Sequence, residues 1–127
     1  MRFVIDNNLS PQLAAGMKAF GEDVIHLTEL VSEDAEDEVW LPRIGKEEYI
    51  LITRDLNIRR RPRELSALRE HKVGAFFLGG KNQDRWQIIQ QVVRNWIRIK
   101  EFAEHTRKPF AFRVPPSGTH FDQIPLT

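Results

Sequence analysis

Three acidic residues of this chain occur where they could act on a phosphate ester. Asp6 directly follows Phe-Val-Ile, Asp55 follows Ile-Leu-Ile-Thr-Arg, and Asp37 lies in an acidic stretch between the two. Carboxylate oxygens are ligands of hard divalent cations, and carboxylates that are crowded together resist ionising unless a cation lies between them. A shared Mg²⁺ or Mn²⁺ orients a phosphodiester and lowers the pKa of bound water. We therefore predict a metal-dependent hydrolase in which bound water attacks phosphorus in line.

The remaining composition favours Mg²⁺ or Mn²⁺ over zinc. The chain has no cysteine, and its four histidines are scattered without the close spacing of metal ligands. This excludes disulfides, thiolate zinc sites and a cysteine nucleophile, and it leaves oxygen ligands as the donors. The lack of cysteine also fits a reducing cytoplasm, which is the location that we predict.

Arginines are concentrated just after the third apolar segment. The net charge is only +1, but eight acids and no Lys or Arg occur between Glu22 and Glu38. The basic stretch that follows contains Arg54, Arg59, Arg60, Arg61 and Arg63. Because the arginine fork matches phosphate oxygens, these residues are predicted to bind RNA. A solvated loop, or a surface that docks an antitoxin, is the alternative interpretation of the same residues.

Apolar segments and helix signals alternate along the chain. We predict strands at Arg2–Asp6, Asp23–Leu27, Tyr49–Thr53 and Val73–Leu78. We predict helices from Ser10, from about Ser32 or Asp34, around Arg63–Glu70 and over about Asp84–Glu104. This alternation indicates an α/β domain with a mostly parallel sheet of 4–5 strands and helices on both faces. We take the strand order to be about 2-1-3-4, which puts Asp6 and Asp55 on either side of the switch point between strands one and three.

The C-terminal part adds a late edge strand, Phe110–Val114, and a short tail. A chain of 127 residues fits one domain. We expect residues 1–105 to form its core and residues 109–127 its edge strand and tail. No apolar run approaches the roughly 20 residues of a membrane span, so no membrane association is expected. The apolar face of the last helix could serve the core or a homodimer interface; it is formed by Trp86, Ile89, Val93, Trp96 and Ile97.

The predicted topology brings the acids together. Parallel strands with right-handed crossovers end at one edge of the sheet, where ligands bind near the reversal of strand order. Asp6, Asp37 and Asp55 are expected there, with Glu38 as a further metal ligand. Asn8 and Thr53 are expected to orient the ligands or water. Each residue also has a simpler interpretation, since Asp6-Asn7-Asn8 suits a turn, Asp37 and Glu38 suit a first helical turn, and Asp55 could cap a turn.

The order of these motifs resembles the PIN-like domains of VapC-type toxins. The resemblance covers about residues 1–100 and rests on Phe-Val-Ile-Asp6-Asn-Asn, on Asp37-Glu-Val-Trp, and on Ile-Leu-Ile-Thr-Arg-Asp55. It implies a PIN-like three-layer fold and a Mg²⁺- or Mn²⁺-dependent ribonuclease, inhibited by a cognate antitoxin protein. By motif position, Asp6 and Asp55 match the acids that follow strands one and three, and Asp37 best matches the helix-borne acid. The chain departs from the pattern at Asn7, where many compact relatives have Glu.

Two other functions are compatible with this sequence. The first is a catalytically weak PIN-like module that binds RNA or a partner protein, which metal-binding measurements would separate from the nuclease. The second is a phosphoacceptor receiver domain, which has an acid after strand one. That class requires paired acids at this position, whereas Asn7 and Asn8 follow Asp6 here. The receiver domain is therefore the weaker alternative.

Overall fold

A computed structural model describes residues 1–54 and 61–126 of the chain. Within these residues six strands form: β1 Arg2–Ile5, β2 Val24–His26, β3 Tyr49–Thr53, β4 Gly74–Leu78, β5 Phe110–Val114 and β6 Asp122–Gln123. The four α-helices of the same residues are α1 Pro11–Ala19, α2 Asp37–Lys46, α3 Pro62–Glu70 and α4 Arg85–His105. A short 3₁₀ helix, Leu27–Glu29, follows β2.

The strands form one sheet in the order β2-β1-β3-β4-β5-β6. All neighbouring pairs up to β5 are parallel, and β6 is antiparallel to β5. The predicted order 2-1-3-4 is confirmed, and the sheet continues beyond it. Phe110–Val114, which we expected at the edge, has β6 on its outer side over Phe112 and Arg113. Two residues of pairing were too few to leave a strand signal in the sequence.

Two apolar clusters cover the two faces of the sheet. Residues of α1 and α4, including Leu13, Val92 and Trp96, pack on one face. Residues of α2 and α3, including Leu41 and Leu68, pack on the other. Burial on both faces explains why β3 and β4 are nearly continuous apolar runs rather than alternating ones. The result is the three-layer α/β arrangement that the sequence predicted.

The first two helices begin differently from one another. Ser10 caps α1 by accepting a hydrogen bond from the Gln12 amide, with Pro11 at the first helical position, as expected. The predicted start of α2 at Ser32 or Asp34 is wrong, because this helix begins at Asp37. A turn in which the Ala35 amide bonds to the Ser32 carbonyl occupies the preceding residues. Asp34 therefore lies outside the helix and does not share a helical face with Asp37.

The apolar face that we predicted for the long helix α4 is only partly buried. Trp96 is buried, and its indole N–H donates to Glu22, which also accepts from Lys100. Trp86, Val93 and Ile97 are 65%, 60% and 72% exposed. The core instead receives the side of the helix that carries Val92, Trp96 and Ile99.

No helix among the described residues has the length and apolar character needed to cross a membrane.

Candidate functional site

A pocket of about 190 Å³ lies where β1 and β3 end, beneath α2 and α3. We call it the acid pocket. Its polar lining comes from Asp6, Asn8, Asp37, Thr53, Arg61 and Glu64. Its apolar lining comes from Trp40, Leu41, Leu51, Leu68 and Phe77. Apolar walls lower the local dielectric, so charges placed here act on one another more strongly than they would on an open surface.

Asp6 is held in place by the parallel pairing of β1 with β3. Its backbone N–H donates to the Ile52 carbonyl at 3.0 Å, which continues the ladder by one residue. The Oδ1 atom accepts a hydrogen bond from the backbone N–H of Asn7 at 2.6 Å, and Oδ2 accepts one from the Thr53 hydroxyl at 2.7 Å. A carboxylate oxygen has two lone pairs, so each can accept one hydrogen bond and still face a ligand. The Asp6 carboxylate is therefore held in one orientation at the start of the turn that the Leu9 amide closes onto the Asp6 carbonyl.

Asn8 and Thr53 fix the surroundings of Asp6. The Asn8 side chain donates to the Arg54 carbonyl at 2.6 Å and accepts from the Arg54 amide at 3.2 Å. The Asn8 Nδ2 atom also lies 3.1 Å from the Thr53 hydroxyl. The loop after β1 is further held by His26, whose Nε2 lies 2.9 Å from the Leu9 carbonyl. Asn8 and Thr53 therefore join the loop after β1 to the end of β3, and their role toward a metal or water stays a prediction.

Asp37 reaches the acid pocket from the first turn of α2. Partial burial raises the pKa of its carboxyl, and the charges of Asp6, Glu64 and Glu38 raise it further. The Trp40 indole N–H acts in the opposite direction by hydrogen bonding to the carboxylate. The Asp37 carboxylate is thus repelled by the other acids of the pocket, as expected for carboxylates that converge on one site.

Glu64 is the residue that sequence analysis missed. It lies in the first turn of α3 and is half-buried in the acid pocket, where its charge contributes to the raised pKa of Asp37. The helix itself was predicted, around Arg63–Glu70, and an acid in the first turn after β3 was the available signal. Such an acid is common at any helix start because it suits the helix dipole, so its position alone did not distinguish Glu64 from an ordinary first-turn acid.

The other predicted residues divide among several places. Arg61 lines the acid pocket, whereas Glu38 and Arg63 line a neighbouring pocket between α2 and α3. Arg54 turns toward β4, where its Nη2 donates to the Gly80 carbonyl at 3.4 Å. The predicted Asp55, Arg59 and Arg60 lie outside the described residues.

The oxygen donors of the acid pocket suit a hard cation. Mg²⁺ takes one or two protein carboxylates and completes its octahedron with water and substrate oxygens. Asp6 and Asp37 line one pocket and interact electrostatically, so the donor set fits this ion. Within residues 1–54 and 61–126, no three Asp, Glu or His side chains are grouped closely enough to hold a metal ion jointly.

The fold and the pocket together place acids at the carboxyl edge of a mostly parallel sheet. A family model described as a PIN like domain matches residues 1–80, and the chain belongs to that family. PIN-like domains are commonly nucleases, which supports the coarse assignment as a hydrolase. No curated protein and no solved structure matches this chain.

Proposed function

We propose that this protein is a metal-dependent endoribonuclease that hydrolyses RNA phosphodiesters in the cytoplasm. The observation that carries the proposal is the acid pocket, where Asp6, Asp37 and Glu64 surround one cavity next to Arg61. The acids suit a divalent cation, and the guanidinium suits the phosphate that such a cation would accompany. Membership of the PIN-like family supports the same reaction class.

Asp6 and Asp37 would hold Mg²⁺ or Mn²⁺, together with Asp55 from the strand-three motif. Glu64 lines the same pocket as Asp6 and Asp37, and Glu38 follows Asp37 in the first turn of α2. When bound, the ion supplies an activated water and neutralises charge on the phosphoryl oxygens. The Thr53 hydroxyl keeps the Asp6 carboxylate in one orientation. Arg61 would bind a phosphate oxygen of the strand.

The test is cleavage of single-stranded RNA with saturating Mg²⁺ or Mn²⁺. We expect Asp6→Asn and Asp55→Asn each to abolish cleavage, because each replaces an anionic ligand with a neutral amide of the same shape. Asp34→Asn is the matched control, since Asp34 is exposed and lies outside the acid pocket. Cleavage at an unchanged rate in both of the first two variants would refute the proposal.

We further infer that the enzyme is the toxin of a type II toxin–antitoxin pair. The support is the resemblance of its ordered motifs to VapC-type toxins. The neighbouring gene should then encode a small protein that binds this chain tightly and inhibits its cleavage of RNA. Co-expression and purification of the two products tests this, and a neighbour that neither binds nor inhibits would contradict the toxin assignment while leaving the nuclease intact.

The second candidate function is a catalytically weak module that binds RNA or a partner protein. This function is favoured by Asn7, a neutral residue next to Asp6. The backbone N–H of Asn7 and the hydroxyl of Thr53 already donate hydrogen bonds to the two carboxylate oxygens of Asp6. Calorimetry with Mn²⁺ separates the two functions. Binding in the millimolar range or tighter supports the nuclease, whereas no heat of binding at these concentrations supports the module.

A further inference from the structure

A row of side chains crosses the sheet at the level of the acid pocket. Ile5 pairs with Ile52, so the next residues, Asp6 and Thr53, stand side by side. Thr53 pairs with Phe77, and Phe77 pairs with Arg113 on β5. Adjacent strands are roughly 4.8 Å apart, so Arg113 stands on the order of 10 Å from Thr53 along this row.

Arg113 also lies on the same face of the sheet as the acid pocket. Side chains alternate along a strand, and Ala111 on β5 packs into the cluster beneath α2 and α3, together with Leu51 and Phe77. Phe112 packs into the opposite cluster. The next residue, Arg113, is therefore directed toward the α2 and α3 side, as Thr53 is on β3.

The Arg113 guanidinium rests over the backbone of Gly79. A Cβ atom at Gly79 would lie 2.5 Å from its Cζ and 2.6 Å from its Nη2, so the space above this glycine is filled by the guanidinium. Among the residues that the structure describes, none forms a hydrogen bond or ion pair with the side chain of Arg113. Asp122, its neighbour in register on β6, instead lies 3.2 Å from His120. The guanidinium, which is partly exposed, thus has N–H donors left for a ligand.

Arg54 approaches the same turn from the other side. Its Nη2 donates to the Gly80 carbonyl, and its buried Nε has no hydrogen-bond partner in the described part of the chain. Gly80 has φ +106°, a conformation that requires glycine, and this turns the chain sharply after β4. Two guanidiniums with unused donors therefore meet at one glycine turn next to the acid pocket.

We propose that Arg54 and Arg113, seated at Gly79–Gly80, form a binding subsite for a phosphodiester of the RNA strand beyond the one that is cut. This subsite rests on the proposed function for its ligand. The strand would run along the carboxyl edge of the sheet, from the acid pocket at β1 and β3 toward β5. Arginine forks bind phosphate oxygens in a bidentate manner, so the subsite sets the register of the strand without reading its sequence.

Binding of labelled single-stranded RNA, measured by fluorescence anisotropy over a range of salt, tests the subsite. The Asp6→Asn background prevents cleavage during the measurement. We expect Arg113→Gln to weaken binding about tenfold at low salt. Loss of one phosphate contact should also reduce the slope of log K against log salt by about 0.7. Arg107→Gln removes the same charge from an exposed residue before β5, at the opposite edge of the sheet, and should change neither quantity.

Gly79→Ala provides an independent variant. The added methyl group must displace the Arg113 guanidinium, whose flexible end can move without disturbing the backbone. We expect Gly79→Ala to weaken RNA binding as Arg113→Gln does, and to have no further effect when the two are combined. Arg113→Lys, which keeps the charge but loses the fork, should retain the salt slope and bind with intermediate affinity.

The outcomes separate this subsite from the nuclease. If Arg113→Gln binds RNA with the affinity and salt slope of Arg107→Gln while the unsubstituted chain cleaves RNA, the subsite alone is refuted. If RNA binding depends on Arg113 but the unsubstituted chain never cleaves, the subsite is supported and the nuclease assignment fails. Absence of RNA binding by the unsubstituted chain at any salt concentration would overturn both.

Discussion

Thr53 illustrates how single residues build the acid pocket. It ends a strand that is buried along its whole length, and it is itself only 4% exposed. A polar group in that position needs partners, and it finds them in the Asp6 carboxylate and the Asn8 side chain. One hydroxyl therefore links the ends of β1 and β3. The two strands meet at Asp6 with a fixed geometry that neither strand specifies alone.

Glu64 is predicted to contribute to cleavage. Replacing it with Gln removes an anion from the pocket while keeping its size, so we expect kcat to fall about 10- to 100-fold, as when outer metal-site groups are lost. The measurement is RNA cleavage under single-turnover conditions. Glu70→Gln on the same helix is the control, since Glu70 is exposed and does not line the acid pocket. Equal activity in the two variants would show that Glu64 contributes to helix α3 and not to RNA cleavage.

Asp37 is predicted to lower the stability of the fold at neutral pH. Its pKa is raised in the folded protein, so folding becomes less favourable as pH rises through the ordinary carboxyl range and the unfolded chain ionises first. Asp37→Asn removes this penalty and should raise the free energy of unfolding by about 0.5 kcal/mol at neutral pH, after allowance for solvent screening. The gain should vanish at acidic pH, where the carboxyl is protonated in both states.

Urea unfolding of both proteins in metal-free buffer, at neutral pH and at about pH 3, measures the difference. An Asp37→Asn protein that is less stable than the original at neutral pH would contradict the expected repulsion. If Asp37 binds the proposed ion, addition of Mg²⁺ should reverse the ranking, because only the unsubstituted chain keeps the Asp37 carboxylate.

At the scale of elements, the pocket depends on how α2 and α3 pack against each other. Gly45 on α2 lies against the end of α3, where a Cβ atom would meet the His71 carbonyl oxygen at 2.3 Å. That oxygen belongs to the backbone and cannot move away as a side chain could. The close contact keeps the two helices, which carry Asp37 and Glu64, over the same part of the sheet.

Glycine-to-alanine substitutions in two helices should therefore have opposite effects. Gly45→Ala is expected to lower the free energy of unfolding by about 1–3 kcal/mol, because one helix must shift. At Gly16 on α1, an added Cβ atom would meet no heavy atom of another part of the chain within 4 Å. Gly16→Ala should therefore raise the free energy of unfolding by about 0.5–1 kcal/mol through helix propensity. Denaturant unfolding measures both, and a neutral Gly45→Ala would mean that the α2–α3 contact tolerates movement.

At the scale of the whole molecule, the core extends past the part that the family model matches. That match ends at residue 80, before α4, β5 and β6. Phe76 on β4 nevertheless packs against Phe110, Phe112 and Phe121. Val92, Trp96 and Ile99 on α4 cover the same face of the sheet. The C-terminal third therefore completes one of the two apolar clusters and is not an addition to a domain that already has its whole core.

A chain that ends at residue 80 is accordingly expected not to fold. It would expose the β4 face that α4 and β5 cover, and a marginal domain of this size cannot bear that loss. Circular dichroism and a urea titration should show a non-cooperative transition for residues 1–80 and a cooperative one for the full chain. Cooperative unfolding of the short chain would mean that the matched region has a sufficient core of its own.

The sequence alone determined the first four strands and the position of Asp6, because both follow from local patterns. Apolar runs ending in polar residues mark the strands, and parallel topology then places their ends together. Asp37 was found in the same way, although its helix begins later than its acidic run suggested. Asp55, Arg59 and Arg60 remain predictions from sequence.

Only the tertiary structure decided which distant residues share the pocket and its surroundings. Glu64 enters because α3 turns one side toward β1 and β3, and Arg113 because β5 pairs in register with β4. The exposed stripe of α4 likewise depends on how the helix is rotated about its axis, which a broad apolar pattern leaves open. These are properties of packing between segments far apart in the chain, and no local spacing of residue types encodes them.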